Sequence, residues 1–288
     1  MKGIILAGGT GSRVYPSTKT VSKQLLPIYD KPTIYYPLST LIKLGIKDIM
    51  IITNAQAYPH LLYLFHQTDN PKPYLGINFT FKVQMYPAGI AEALIIAEAW
   101  QGDDDVCLIL GDNIFTGIRK PKLNNGTEAC VVSYKVSNPS DYGVIELDAT
   151  ETIVSIEEKP DVPASNLAVT GIYFYNNTAG ARARALKPSA RGELEITDLN
   201  KSYLQDNVLG HSSLNSNYAW FDTGNPDEMF AASMYVKSIQ DRTNTMIGCI
   251  EGESWKQGNI KYEELQKIVD KMPACSYKTN IVMSYYFD

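Results

Sequence analysis

In the first half of the chain, short apolar runs alternate with stretches in which apolar residues recur at helical spacing. GIILAG (3–8) is a strand-like run bounded by glycine, and IYYPLSTLIKLG (34–45) has the periodicity of a helix ending at Gly45. DIMIIT (48–53) predicts a second strand, and YPHLLYLFHQ (58–67) a second helix with His60 and His66 exposed on it. INFTFKVQ (77–84) alternates apolar and polar positions, as an edge strand does. AEALIIAEAW (91–100) predicts a third helix, and DVCLILGDN (105–113) a buried strand that stops at Gly111-Asp112. Strands that are apolar throughout need cover on both faces, so this alternation predicts a mostly parallel sheet between helices.

From about residue 128 the rhythm changes. ACVVSYKV (129–136), YGVIEL (142–147), TIVSIEE (152–158) and AVTGIYFY (168–175) are strands separated by short turns, which predicts a mixed sheet. Helical patterns return at 178–187, 195–205 and 226–240, and KYEELQKIVDK (261–271) predicts one more. The expected architecture is one Rossmann-like α/β domain over 1–240, with a helical extension over 241–288 packed on it. In such sheets ligands bind beyond the carboxyl ends of the strands. ILAGGTGSR (5–13) and LILGDN (108–113) both end strands that way and should face one crevice.

The 288 residues carry a net charge of −5, which disfavours a general nucleic-acid surface. No run is long and apolar enough to span a bilayer, and no leader pattern precedes the first strand, so a cytoplasmic protein with no membrane partner is expected. Cys107, Cys130, Cys249 and Cys275 form no CxxC pair, and the three histidines form no metal motif. Cys107 and Cys130 read as small core residues.

Glycine-rich loops of several kinds hold phosphates, and the residues around this one discriminate between them. The dinucleotide fingerprint needs a third glycine where this chain has Val14, and a P-loop needs a Gly-Lys pair that is absent. A hydride-transferring dehydrogenase is therefore disfavoured. The pattern L-A-G-G-x-G-S-R followed by K-Q-L-L-P resembles the signature of the sugar-1-phosphate nucleotidylyltransferases. Agreement with their glucose-1-phosphate thymidylyltransferase branch continues through 22–41, LGDNIF (110–115), YGVIE (142–146), EEKP (157–160), VTGIYFY (169–175), LKPSARGELEITDLN (186–200) and AWFDTG (219–224).

That resemblance implies transfer of a thymidylyl group from dTTP to glucose-1-phosphate with Mg²⁺, in a homotetramer, with feedback by a dTDP-sugar. It implies catalytic roles for Arg13, Lys23, Asp112 and Lys159, and metal ligation by Asp112 and Asp222. The nucleotide would lie against Leu6, Gly8, Gly9, Gly11, Ser12, Arg13, Lys23, Gln24 and Pro87, with its base at Gln84 and Gly89. The sugar phosphate would fall to Leu110, Asn113, Tyr142, Gly143, Glu158, Lys159, Val169 and Arg191. Tyr173 and Trp220 either pack on the sugar or belong to the core. The chain departs from the family pattern at Ser12, Val14, Ala88 and Glu92, where threonine, leucine, a polar residue and glutamine are frequent. Two other readings remain open: a uridylyltransferase for glucose-1-phosphate, and a catalytically silent nucleotide-sugar sensor. The sensor requires loss of Arg13, Lys23, Asp112 or Asp222, and all four are present.

Overall fold

The computed structural model describes residues 1–65, 73–121 and 126–286. In chain order its elements are β1 (Lys2–Ala7), β2 (Pro27–Ile28), β3 (Lys31–Pro32), α1 (Tyr35–Lys43), β4 (Asp48–Thr53), α2 (Tyr58–Phe65) and β5 (Asn78–Val83). There follow α3 (Glu92–Gln101), β6 (Val106–Leu110), β7 (Asn113–Phe115), β8 (Ala129–Lys135), β9 (Gly143–Leu147), β10 (Ile153–Glu158) and β11 (Leu167–Tyr175). The rest are α4 (Ala179–Ala185), α5 (Ile196–Gln205), β12 (Leu209–Ser213), β13 (Trp220–Asp222), α6 (Pro226–Thr243), α7 (Ile250–Lys256), α8 (Tyr262–Lys271) and α9 (Ser276–Tyr285).

A nine-stranded sheet runs β10-β9-β11-β6-β1-β4-β5, with β8 paired to β11 and β12 to β8. β6, β1, β4 and β5 are parallel, and β11 turns the sheet antiparallel against β6 and β8. The change of rhythm near residue 128 is thus a change of strand direction. β5 is an edge strand, as its alternation implies.

Period-two alternation in the apolar strands feeds two separate layers. Ile5, Ile51 and Ile109 point to one face, where α1, α2 and the C-terminal helices supply Leu41, Phe65, Ile250, Leu265 and Ile281. Ile4, Met50 and Leu108 point to the other, against Leu94 of α3, Ala183 of α4 and Leu199 of α5. The C-terminal helices therefore complete one face of the main sheet. The chain passes residue 240 inside α6, which ends at Thr243, capped by Asn244 in the left-handed region. Cys107 and Cys130 are buried and free, and His60 is exposed on α2. His66 lies outside the described residues.

The helical patterns do not foretell β7, β12, β13, α7 or α9. β7 and β13 have three residues each. α7 buries Glu251, Glu253 and Ser254, so it shows no apolar stripe.

Candidate active site

β1 and β6 run side by side with Leu6 opposite Leu110, so the loops after them leave from the same sheet edge. The Gly111 N–H ties these loops together by donating to the Leu6 carbonyl at 2.9 Å. Both loops open on one cleft of about 350 Å³, as the sequence implies. Gly9 and Gly11 hold φ of 92° and 62°, a region that favours glycine. Leu6, Gly8, Gly9, Gln24, Pro87 and Leu110 all line the cleft. Gln24 is 4% exposed and donates from Nε2 to the Gly8 carbonyl at 3.3 Å, supporting the loop from beneath. Val14 is buried, so a core side chain fills the third glycine position of the dinucleotide fingerprint.

Arg13 lines the cleft from an exposed position and rests on Gly224, where a Cβ would lie 2.8 Å from its Nη2. Its guanidinium takes no ion pair or hydrogen bond among the described residues. Gly11 and Ser12 do not line the cleft. Lys23 lines a second hollow of about 410 Å³ that shares Gly9, Gln84 and Pro87 with the first. Its ammonium is ion-paired with Asp112 Oδ2.

Asp112 and Asp222 come together because β7 and β13 pair antiparallel, with Asn113 opposite Asp222. The Thr223 N–H and hydroxyl both donate to the Asp112 carbonyl, at 3.1 and 2.7 Å, which locks the two loops. Burial pushes Asp112 up, but the Lys23 charge and hydrogen bonds from Lys23 and Asn113 outweigh it and hold the carboxyl below its ordinary range. Asp222 goes the other way. Burial and then the Asp112 charge push it up to about 6, against the pull of Lys23 and Arg13.

Asn113 organises this corner. It is 1% exposed; its Nδ2 donates to Asp112, while its Oδ1 accepts from the Gly171 N–H at 3.2 Å and from Trp220 Nε1 at 2.6 Å. A Cβ at position 171 would lie 2.5 Å from that Oδ1, which explains the glycine within VTGIYFY. Trp220 also packs against Tyr142, with ring centroids 5.2 Å apart. Tyr173 stacks on Tyr175. Both Trp220 and Tyr173 are core side chains with one edge on the cleft.

Gln84 is buried at the end of β5, with Nε2 donating to the Gly89 carbonyl and to Glu92 Oε2. At Gly89, with φ of 104°, a Cβ would fall 2.4 Å from the Leu194 carbonyl oxygen. This glycine therefore admits the 191–194 loop as well as opening the cleft.

On the opposite strands, Tyr142, Gly143, Glu158, Lys159 and Val169 line the cleft. Glu158 and Lys159 do not pair. Glu158 Oε2 accepts from the Thr197 hydroxyl at 2.5 Å, and Lys159 has no ion-pair partner among the described residues. Lys159 holds φ of 46°, with its N–H on the Tyr142 carbonyl. A left-handed lysine costs about 1–2 kcal/mol, and strain of this kind gathers at functional sites. Arg191 stays outside the cleft lining: Glu195 accepts from its Nη2 twice at 3.0 Å, and Glu193 lies 3.6 Å away.

A family model described as nucleotidyl transferase matches residues 2–239. The chain belongs to the nucleotidyl transferase family. It is 45% identical over 282 residues to a protein of Neisseria meningitidis named glucose-1-phosphate thymidylyltransferase, covering 96% of each chain. A protein of the same name from Mycobacterium tuberculosis is 44% identical over 269 residues, 92% of this chain. Among solved structures, a putative glucose-1-phosphate thymidylyltransferase from Bacillus anthracis has TM-score 0.72 and 39% identity, covering 82% of this chain and 94% of that one. A UDP-glucose pyrophosphorylase complexed with UDP-glucose has TM-score 0.72 and 26% identity, covering 82% and 98%.

Family nucleotidyl transferases generally use a divalent metal. Asp112 and Asp222 fit that role. They are hard oxygen donors, and burial together with the neighbouring Asp112 charge raises Asp222. No group of three or more His, Cys, Asp or Glu suited to a metal occurs among the described residues, so the remaining ligands would be water and substrate oxygens. Ile90, Asp141, Gly171, Glu193, Ile196 and Thr197 also line the cleft and were not singled out by sequence. Thr197 sits inside the 186–200 match, where the helical pattern of EITDLN masks a hydroxyl turned inward.

Proposed function

We propose that this member of the nucleotidyl transferase family transfers a thymidylyl group from dTTP to glucose-1-phosphate, giving dTDP-glucose and pyrophosphate. The observation that carries this reading is one cleft joining a glycine loop, an unpaired arginine and a carboxylate pair to Glu158 and an unpaired Lys159. The names of relatives sharing about 45% identity over nearly the whole chain support the substrate pair.

In this reading a phosphate oxygen of glucose-1-phosphate attacks the α-phosphorus in line. The new P–O bond forms as the bond to the β-phosphate oxygen breaks, and pyrophosphate leaves. The nucleophile's second pKa is about 6, so it is ionised at neutral pH and needs no general base. Arg13 clamps the leaving phosphates, and the amides of Gly8 and Gly9 approach the same chain. Gln84 and Gly89 meet the base. Glu158 accepts from sugar hydroxyls, and Lys159 holds the sugar phosphate. A magnesium ion on Asp112 and Asp222 would supply charge neutralisation of the triphosphate. Lys23 leaves its pair with Asp112 for the phosphates, or stays and orients that carboxylate. The reading extends to a homotetramer in the cytoplasm with no nucleic-acid or membrane partner. No helix among the described residues is long and apolar enough to cross a membrane.

Pyrophosphate release with glucose-1-phosphate, Mg²⁺ and each of dTTP, UTP, ATP and GTP tests the reading. dTTP is expected to lead. UTP should follow, because one methyl group is worth about 1–3 kcal/mol of discrimination. A lead by UTP would move the protein to the uridylyl reading, which the fold shared with a UDP-glucose pyrophosphorylase keeps in view. No release, with dTTP still bound, would leave the silent sensor.

Thr197 is 3% exposed and holds Glu158 Oε2, leaving Oε1 for the sugar. Thr197→Val is expected to raise KM for glucose-1-phosphate about tenfold, in line with a hydrogen bond to a charged group. KM for dTTP should stay unchanged. An equal rise in both would assign Thr197 a purely structural part.

A further inference from the structure

We infer that Glu92 is a positioning residue for base selection: it locks the Gln84 amide in the orientation that accepts an imide N–H and rejects cytosine. The inference rests on the base site of the proposed function.

An amide side chain has a donor end and an acceptor end of nearly equal shape, so its orientation is set by its neighbours. Here both neighbours of the Gln84 nitrogen are acceptors: the Gly89 carbonyl at 3.2 Å and Glu92 Oε2 at 2.6 Å. A carboxylate and a carbonyl offer nothing to an amide oxygen. The NH₂ must therefore face them, and both its hydrogens are used. The oxygen is left beside Gly8, where a Cβ would come within 2.9 Å of it. Among the described residues no donor reaches that oxygen, and the Gly89 N–H donates to no acceptor. Gln84, Gly8 and Gly89 all line the cleft.

The base therefore meets a fixed acceptor on Gln84 and a free donor on Gly89. Thymine and uracil present the complement, an N3–H donor beside a carbonyl oxygen. Cytosine presents the reverse, a bare N3 beside an amino group. Cytosine could be matched only if the Gln84 amide turned over, which would set NH₂ toward the base and its oxygen against the Glu92 carboxylate. Two facing acceptors in a buried site make that state costly, so Glu92 supplies the repulsive element that specificity needs.

The test is equilibrium binding of dTTP and of dCTP, by calorimetry with Mg²⁺, to wild type, Glu92→Asp and Glu92→Gln. Aspartate keeps the charge in the first turn of α3 but is one methylene too short to reach Gln84. Glutamine keeps the reach but can turn its own NH₂ toward Gln84, so it no longer penalises the turned-over amide. Wild type is expected to prefer dTTP by roughly 10³-fold or more. Both variants should lose at least tenfold of that preference. A loss in the Gln variant with an unchanged ratio in the Asp variant would show that only charge near the helix start matters and would overturn the inference, as would an unchanged ratio in the Gln variant. Wild type that binds dTTP but shows either result keeps the proposed function; wild type that binds neither nucleotide overturns both.

Discussion

Asp222→Asn is expected to stabilise the metal-free protein while abolishing its activity. Asp222 is a half-buried carboxylate beside Asp112, and its pKa is pushed up from 3.8 to about 6. A carboxyl whose folded pKa lies above its unfolded one binds its proton more tightly in the folded state. Its ionisation therefore costs stability as pH rises through the window from about 4 to about 6, and the full cost stands above it. A shift of this size corresponds to about 1–3 kcal/mol once its coupling to Asp112 is allowed for. Asparagine removes the charge and that cost. In chelator at pH 7.5 the variant should melt several degrees above wild type. The gain should shrink as pH falls and vanish near pH 4. Added Mg²⁺ should raise the melting temperature of wild type and leave the variant unmoved. Turnover should fall by about 10²-fold or more, since a metal held by one carboxylate is poorly fixed. Thermal melts with and without chelator check both halves. A variant less stable than wild type at pH 7.5 would contradict the electrostatic account of this corner.

Arg13 carries the second large expected effect. It is exposed and takes no ion pair or hydrogen bond among the described residues, so the fold depends little on its charge. Arg13→Ala should lower kcat/KM by about 10²–10³-fold while changing stability by less than about 0.5 kcal/mol. Arg13→Lys should recover little, because an ammonium lacks the planar fork that spans two phosphate oxygens. Steady-state kinetics beside a denaturant titration separates the outcomes. Full activity in the lysine variant would reduce Arg13 to a diffuse positive charge.

The α/β architecture and the meeting of the two loops were legible because they depend on strand burial. A strand such as VCLIL is apolar at every position only when both its faces are covered, and the glycine and aspartate that end it must then lie at a sheet edge. Those signals are local. What stayed hidden depends on pairing between distant segments. Nothing in AWFDTG or LGDNIF shows that three residues of each form a ladder setting Asp222 beside Asp112. Nothing near Lys23 shows that its ammonium is already engaged by Asp112. Arg191 read as a ligand from its motif, yet glutamates two and four residues on hold its guanidinium. In the sequence Glu92 is only a departure from pattern, because its contact with the Gln84 amide joins a strand end to a helix start eight residues on.

The most direct test of the central claim follows the phosphorus atoms themselves. A ³¹P spectrum of the wild-type protein with dTTP, glucose-1-phosphate and Mg²⁺ should show dTDP-glucose and pyrophosphate rising together in equal amounts as dTTP disappears. Loss of dTTP to dTMP with glucose-1-phosphate untouched, or a mixture unchanged over hours, would contradict it.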